Sequence, residues 1–308
     1  MLLLALAMDL AFGDPPNRYH PVAWIGRLLG VGQSRLCHGS PARLLVGGAL
    51  TTIAVAAIAG AAAALLSRIA AGFGIVGILL EALALTSLLS LRDLVGAARS
   101  VARDLDRSDL PAARGAVGYH LVSRPTAALD EGQVASATIE SVAENLTDSL
   151  VAPVCFFLAG GLVWAAVYRV INTADSMLGF RRGQLQYFGK SAARLDDLVN
   201  LIPARIAGLS LVAGAALARE SPGGALAALR RDRRRTQSPN SGWPMSAMAG
   251  ALGVILEKPG VHRLGAGAPP LAADIERAIR VVAAASALSV AFAVAVFVAG
   301  ATVFGPAR

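Results

Sequence analysis

The sequence predicts an all-α fold: a polytopic helical membrane protein with about five transmembrane or partly re-entrant helices. Hydrophobic residues make up 55% of the 308 residues and charged residues only 16%, whereas a typical soluble domain has about 25% charged residues. The mean hydropathy is +0.59. Four apolar runs reach the length of about 20 residues that crosses a bilayer. They are Leu44–Leu66, Phe73–Leu91, Leu150–Tyr168 and Val281–Phe304.

Two further apolar segments are weaker candidates for spans. Residues 1–12 are short and interrupted by Asp9, which predicts a half-span, an interfacial helix or an uncleaved anchor. A cleaved signal peptide is disfavoured because no basic n-region precedes the apolar stretch. Leu201–Leu217 contains Pro203 and Arg205, which is typical of a tilted, broken or half-inserted helix. We expect a single integral-membrane domain over residues 1–308, with polar helical segments at about 92–149 and 218–280.

The net charge of +8 is concentrated between the apolar runs. Segment 92–149 carries six arginines and segment 218–280 carries ten lysines or arginines, which places both on the cytoplasmic side. Nucleic-acid binding is the weaker explanation, because no aromatic residues alternate with these arginines. Segment 172–200 is also basic, yet five complete spans would export it. Broken, re-entrant helices at Gly160–Gly161 would remove this conflict.

Helix is the expected structure of the polar segments as well. Asp130 is placed to cap a helix that runs to about Asp148, and a second helix is predicted from Asp93 to Arg107. No strand ladder is predicted, and Gly265–Pro270 is expected to be a loop. The cysteines, Cys37 and Cys155, form no metal-binding or disulfide pattern.

Acidic residues recur at helical spacing just before the third apolar run. Glu140, Glu144 and Asp148 are four residues apart, so a helix places them on one face, with Asn145 beside them. Like charges at this spacing repel each other. Carboxylate and amide oxygens suit Mg²⁺, and a solvated acidic helix face is the alternative.

Other polar clusters follow the apolar runs. Asn172–Met177 contains Asp175 and can also be explained by helix capping. Lys190, Arg194 and Asp197 share a helix face, and Asp196 points elsewhere; ion pairs along the helix are the alternative explanation. Gly183–Ser191 is one residue too long for a phosphate-binding P-loop and follows no strand.

Two proline-rich segments complete the set of candidates. Ser238–Pro244 predicts a rigid turn whose Trp243 can stack on a flat ligand or anchor at the bilayer interface. Gly13–Pro16 with His20 predicts a turn after the first apolar segment, which explains the prolines but not Asp14 or His20.

Glu81 lies within the second apolar run, where an ionisable side chain marks either function or a polar bundle interior.

Several of these motifs occur together and in order, and as a set they resemble the CbiB/CobD family of adenosylcobinamide-phosphate synthases. The resemblance covers nearly the whole chain. Its motifs are Asp9–Pro15, His20–Pro21, Glu140–Asn145, Ile171–Met177, Phe188–Lys190, Ala193–Asp197, Ile202–Arg205, Ser238–Pro244 and Glu257–Gly260.

The resemblance implies a multi-pass enzyme of the bacterial cytoplasmic (inner) membrane that acts in cobalamin biosynthesis. The family joins (R)-1-aminopropan-2-ol or its O-phosphate to the free propionate carboxylate of adenosylcobyric acid, using ATP and Mg²⁺. The implied partners are these substrates, the lipid bilayer and other membrane enzymes of late cobalamin assembly. A corrinoid-binding scaffold or transporter without ligase chemistry is the alternative, favoured by Glu81 and by broken helices.

The resemblance also implies roles for individual residues, gathered in one pocket at the cytoplasmic face. The metal ligands are Glu140, Glu144, Asp148 and Asp175. The remaining catalytic candidates are Asn145, Asp196 and Asp197, with either aspartate as the base for the amine. The candidates for binding phosphate or substrate are Arg124, Arg181, Lys190, Arg194, Ser238, Asn240, Trp243, Asp14 and His20. Pro125 stands where the family often has an acid, so an acidic role there is lost or taken over elsewhere.

Overall fold

The structure is a computed structural model that describes residues 1–304 and is mainly helical in this range. Its helices are α1 (Leu2–Phe12), α2 (Pro21–Leu36), α3 (Pro41–Ala70), α4 (Gly74–Thr86), α5 (Leu91–Asp106), α6 (Leu110–His120), α7 (Glu131–Leu146), α8 (Ala152–Leu178), α9 (Leu185–Phe188), α10 (Lys190–Val199), α11 (Leu201–Leu217), α12 (Pro222–Asp232), α13 (Gly242–Leu252) and α14 (Ala272–Phe304). A π-helical turn, Thr147–Val151, joins α7 to α8.

The predicted membrane spans are confirmed as helices of sufficient length and apolarity. Within the described chain, four helical stretches could cross a membrane, or five if the bent pair α10 and α11 counts as one broken span. The four are Pro41–Ala70, Gly74–Asp106, Glu131–Leu178 and Ala272–Gly300. The N-terminal apolar segment forms α1, which has 11 residues and is too short for a full span.

Local sequence signals explain how α7 begins and where α8 breaks. The Asp130 side chain accepts a hydrogen bond from the Gln133 N–H, and the Gln133 side chain accepts one from the Asp130 N–H. This capping box confirms the predicted helix start.

In α8 the backbone leaves helical geometry at Gly160 and at Gly161, whose φ of 66° and ψ of −160° suit glycine. The predicted break at this glycine pair is therefore confirmed.

The expectation of no strand pairing was wrong. Strands β1 (Ile255–Lys258) and β2 (His262–Gly265) form an antiparallel hairpin. Gly260 turns the chain with a φ of 71°, and Leu256 pairs with Leu264 in the core. Each strand has four residues, which is too short for its alternating pattern to stand out in an apolar sequence.

The chain divides into two compact units. The first consists of Met1–Ser90 with Ala152–Asn200, and the second of Leu91–Val151 with the chain from Leu201 onward. The core of the first unit brings side chains of α2, α3, α8 and α10 around the fully buried Phe188. This core positions the ends of α8 and α10, where several candidate residues lie.

The second unit packs its helices closely through small residues. Ala215, Ala225 and Ala251 form a cluster between α11, α12 and α13. At Gly250 an added Cβ would lie 2.2 Å from the carbonyl oxygen of Gly224, so α12 and α13 touch backbone to backbone. Close contacts of this kind are typical of helices whose packing depends on small residues.

Candidate functional site

Three predicted catalytic aspartates come together in the first unit. Asp175 near the end of α8 interacts electrostatically with both Asp196 and Asp197 of α10. The Asn172 side-chain amide donates to Oδ1 of Asp196 at 3.4 Å, and α8 also meets the end of α10 through the hydrogen bond from the Tyr168 hydroxyl to Asn200. The cluster therefore gathers negative charge that a cationic group would relieve.

The predicted phosphate-binding cations of the first unit lie on exposed surface. Lys190 and Arg194 are on α10, and Arg181 lies in the loop before α9. The Arg194 guanidinium approaches Oδ2 of Asp197 at 3.7 Å. Arg194 is 74% exposed, so this pair contributes little stability and the guanidinium is accessible to an anionic ligand.

Asp14 and His20 form a pair in the loop between α1 and α2. The distance from Nε2 of His20 to Oδ2 of Asp14 is 3.3 Å. Nδ1 of His20 accepts a hydrogen bond from the Val22 N–H, so the side chain also caps α2. The turn predicted after the first apolar segment thus contains a specific contact between the Asp14 carboxylate and the His20 imidazole.

Glu140 is buried in the second unit and has partners on both carboxylate oxygens. Oε1 accepts a hydrogen bond from the Ser136 hydroxyl at 3.0 Å, and Oε2 lies 2.9 Å from Nε2 of His262. The Ser136 hydroxyl also accepts the Glu257 N–H at 2.7 Å. These contacts fasten the β1–β2 hairpin to α7 and hold the carboxylate in one orientation.

The other predicted residues around α7 have different surroundings. Glu144 is exposed on α7, and Asp148 is half-buried in the π-helical turn. The Asn145 side-chain amide donates to the carbonyl oxygen of Ser141 at 2.9 Å and to its hydroxyl at 3.0 Å. Arg124 is half-buried in the loop before α7.

The turn that contains Ser238, Asn240 and Trp243 meets two arginines. Nη1 of Arg205 donates to Oδ1 of Asn240 at 3.0 Å. The guanidinium groups of Arg205 and Arg233 lie 5.0 and 5.3 Å from the centroid of the Trp243 ring, within the range of cation–π attraction. A corrin ring would have to compete with these cations for the indole, so stacking on Trp243 stays a prediction.

Some of the predicted magnesium ligands already have partners within the protein. Both oxygens of Glu140 already contact Ser136 and His262. Within residues 1–304, no three Asp, Glu, His or Cys side chains are placed to hold one ion. The described residues do not fit a ready-made magnesium site. The magnesium ligands stay a prediction, and we assign no reaction step to the ion.

Comparison with known proteins places the chain in a family. A family model described as CobD/Cbib protein matches residues 2–291. The chain belongs to the CobD/CbiB family. "Cobalamin biosynthesis protein CobD" of Dehalococcoides mccartyi is 40% identical over 272 residues, 88% of each chain. "Probable cobalamin biosynthesis protein CobD" of Methanothermobacter thermautotrophicus is 40% identical over 86% of each chain. The CobD of Klebsiella pneumoniae is 36% identical over 95% of each chain. No solved structure matches the chain.

Membership of the CobD/CbiB family confirms the resemblance on which the residue roles were based, but the roles themselves stay predictions. Sequence reasoning missed His262, Arg205 and Arg233 as members of polar clusters. His262 lies 122 residues from Glu140, and no local spacing connects them. For Arg205 a signal was present, because an arginine inside an apolar helix calls for a polar partner.

Proposed function

We propose that this CobD/CbiB protein acts in cobalamin biosynthesis as an amide-forming enzyme of the bacterial cytoplasmic membrane. It joins aminopropanol or its phosphate to the free propionate carboxylate of adenosylcobyric acid. The observation that carries this proposal is the family match over residues 2–291, together with full-length relatives named cobalamin biosynthesis protein CobD. The clustered aspartates and the oriented Glu140 support it.

The proposed chemistry begins by activating the carboxylate, because a carboxylate oxygen is a poor leaving group at neutral pH. Transfer of the γ-phosphoryl group of ATP to that oxygen forms an acyl phosphate and releases ADP. The amine nitrogen then attacks the carbonyl carbon, phosphate leaves, and a base takes the proton from nitrogen. Mg²⁺, which the proposal takes to be bound to ATP, would supply neutralisation of phosphate charge, and no residue of this chain is assigned to hold it.

The protein's own residues support this reaction by charge and position. Asp196 or Asp197 is the proposed base, because each lies in one cluster of carboxylates with Asp175, and such a cluster favours the approach of a cationic ammonium group. Lys190 and Arg194 present exposed cations for phosphate oxygens. In the second unit, Ser136 and His262 fix the direction of the Glu140 carboxylate, which preorganises it for a role towards substrate.

The test is product formation by the purified protein in detergent. Adenosylcobyric acid, Mg·ATP and either aminopropanol or its O-phosphate should give an amide product by mass spectrometry, with one ADP per amide. Glu144→Gln should abolish product formation without loss of membrane insertion. Glu131→Gln changes an exposed acid in the first turn of the same helix and should retain activity.

Two results would change the proposal, the first at one residue and the second as a whole. Retained activity in Glu144→Gln would remove Glu144 from the site but leave the reaction in place. Corrinoid binding or flux across liposomes without covalent product, from either amine, would favour the alternative function of a scaffold or transporter. The broken helix at Gly160–Gly161 is the observation that favours this alternative.

A further inference from the structure

A narrow apolar groove lies on the surface of the first unit and has a volume of about 270 Å³. Side chains of α2, α3, α4 and α8 line it, together with two residues that follow α4. Its volume is below the roughly 300–1,000 Å³ of typical small-molecule sites. The groove therefore admits a thin ligand and not a corrin ring.

The groove exists because small residues occupy the middle of one face of α3. Six side chains of this helix line it, at the spacing i, i+3, i+4, i+7, i+8 and i+11 that belongs to a single helix face. Three alanines in the middle leave the space, and larger side chains stand at both ends. In chain order the six are Val55, Ile58, Ala59, Ala62, Ala63 and Leu66.

The wall of the groove offers almost nothing to a polar ligand. None of its lining residues, all within the described part of the chain, is charged. Trp24 and Ser87 carry the polar side-chain groups of the wall, and the hydrogens of both are already used. The Trp24 indole donates to the carbonyl oxygen of Arg18 at 3.0 Å, and the Ser87 hydroxyl donates to that of Ala84 at 2.7 Å. A hydrocarbon chain is therefore the ligand that matches this wall.

The length of the groove corresponds to one half of a predicted span. The apolar run Leu44–Leu66 ends where polar Ser67 and Arg68 follow, and Val55 is its midpoint. From Val55 to Leu66 a helix rises about 16 Å, close to half of the hydrocarbon core of about 30 Å. The groove thus has the length of one leaflet, from the membrane interface to the centre of the bilayer.

Helix α2 brings an aromatic side chain to the interface end of the groove. An added Cβ at Gly32 would meet the side chain of Thr51, and further along α2 Leu36 lies next to Gly47. Later residues of α2 therefore meet earlier residues of α3, so the two helices are antiparallel. Trp24, near the start of α2, accordingly lies towards the end of the apolar run.

The residues around Trp24 suit a phospholipid head group. Trp24 and Tyr19 are exposed, and aromatic side chains of this kind favour the membrane interface. Arg18 is exposed as well, and its guanidinium lies 4.6 Å from the centroid of the Tyr19 ring. A cation beside the end of an apolar groove complements the phosphate of a lipid whose chain enters that groove.

We propose that this groove binds one acyl chain of a phospholipid in the leaflet next to the turn between α3 and α4, with the head group at the end beside Arg18. The chain fills the space that the alanines of α3 leave and contacts α2, α4 and α8 as well. Because this lipid binds the folded unit, it also stabilises the fold. Nothing in this binding depends on the amide-forming reaction.

The first test counts the phospholipid that the full-length protein retains in native mass spectrometry from phosphatidylglycerol nanodiscs. The unchanged protein should keep one phospholipid per chain after the bulk lipid is stripped. Filling the groove with Ala59→Leu and Ala62→Leu should lower the retained fraction at least about tenfold. The matched control, Ala57→Leu with Ala61→Leu, changes exposed alanines of α3 outside the groove and should retain lipid as before.

The second test uses the unchanged protein and does not depend on how a variant folds. Its nanodiscs contain phosphatidylglycerol with a diazirine on the acyl chain, and peptide mass spectrometry maps the residues that irradiation labels. A chain in the groove should label Ala59 of α3 and Ala84 of α4, which are half-buried and line the groove. Bulk lipid should label exposed residues of α3 outside the groove, such as Leu50 and Ile53.

Lipid loss confined to the groove-filling variant, together with label on Ala59 and Ala84, supports the proposal. Equal lipid retention by the two double variants overturns it, and so does label confined to Leu50 and Ile53. If the groove-filling variant turns a dimer into a monomer while lipid retention stays the same, a second copy of the chain and not a lipid occupies the groove.

Discussion

At the scale of single residues, two buried acids hold the hairpin of the second unit in place. Glu140 of α7 contacts His262 at the start of β2, and Asp232 of α12 accepts the N–H of Gly265 at its end. Burial alone would raise the pKa of Asp232, but hydrogen bonds from Arg231 and Gly265 and the nearby arginine charges outweigh it and hold that pKa below its usual range. Both acids stabilise the hairpin as acceptors, so a short two-stranded element stays ordered.

The contact between Glu140 and His262 makes a prediction that separates stability from catalysis. His262→Ala removes the Nε2 partner of a buried carboxylate, which should cost about 2 kcal/mol in free energy of unfolding. His262→Gln keeps an N–H donor within reach and should restore most of that loss. Thermal unfolding in detergent and product formation would both be measured for each variant.

A control variant for this prediction is His38→Ala, since His38 is exposed after α2 and should change neither quantity. If Glu140 acts on substrate, His262→Gln should fold with most of the stability of the unchanged protein yet form amide more slowly, because a flexible glutamine side chain holds the carboxylate less rigidly than the imidazole ring does. Equal unfolding temperatures for His262→Ala and the unchanged protein would contradict the structural role of the pair.

At the scale of elements, glycines decide how closely the helices of the first unit approach. An added Cβ at Gly48 of α3 would lie 1.7 Å from the carbonyl oxygen of Phe188, far inside van der Waals contact. Phe188 is fully buried in the core shared by α2, α3, α8 and α10. The backbone of α9 therefore rests directly on α3. This contact sets the position of the α9–α10 segment, which carries Asp196 and Asp197.

Gly48→Ala should accordingly disturb the segment that carries the aspartate cluster. Because the obstacle is backbone and not a flexible side chain, we expect a loss of roughly 1–3 kcal/mol in free energy of unfolding and lower activity. Gly30→Ala in α2 is the matched control, since no atom lies within 4 Å of its added Cβ and alanine favours helix. Thermal unfolding that is equal for both variants would contradict the close approach of α3 and α9.

At the scale of the whole molecule, sequence reasoning reached the helices more easily than the polar clusters. The spans follow from long apolar runs, and the start of α7 follows from Asp130 as the capping residue, because both signals are local. The partners of Glu140 lie on a hairpin more than a hundred residues away, so no spacing rule connects them.

The proposed reaction makes one prediction about the molecule as a whole. It uses residues from segments 92–149, 172–200 and 218–280, so all three must face the cytoplasm. In a variant in which Cys37 and Cys155 are replaced by serine, single cysteines at exposed Ser123, Gln186 and Gln237 should react with a membrane-impermeant maleimide only after the cells are permeabilised.

A cysteine at Gly72, in the exposed turn between α3 and α4, serves as the opposite control. The proposed cytoplasmic position of the arginine-rich segment 92–149 puts this turn on the outside, so it should react in intact cells. Reaction of Gln186→Cys in intact cells would put segment 172–200 on the external side. Asp196 and Asp197 would then face away from cytoplasmic ATP, so neither could be the base of the proposed reaction, and the amide-forming proposal in this form would fail.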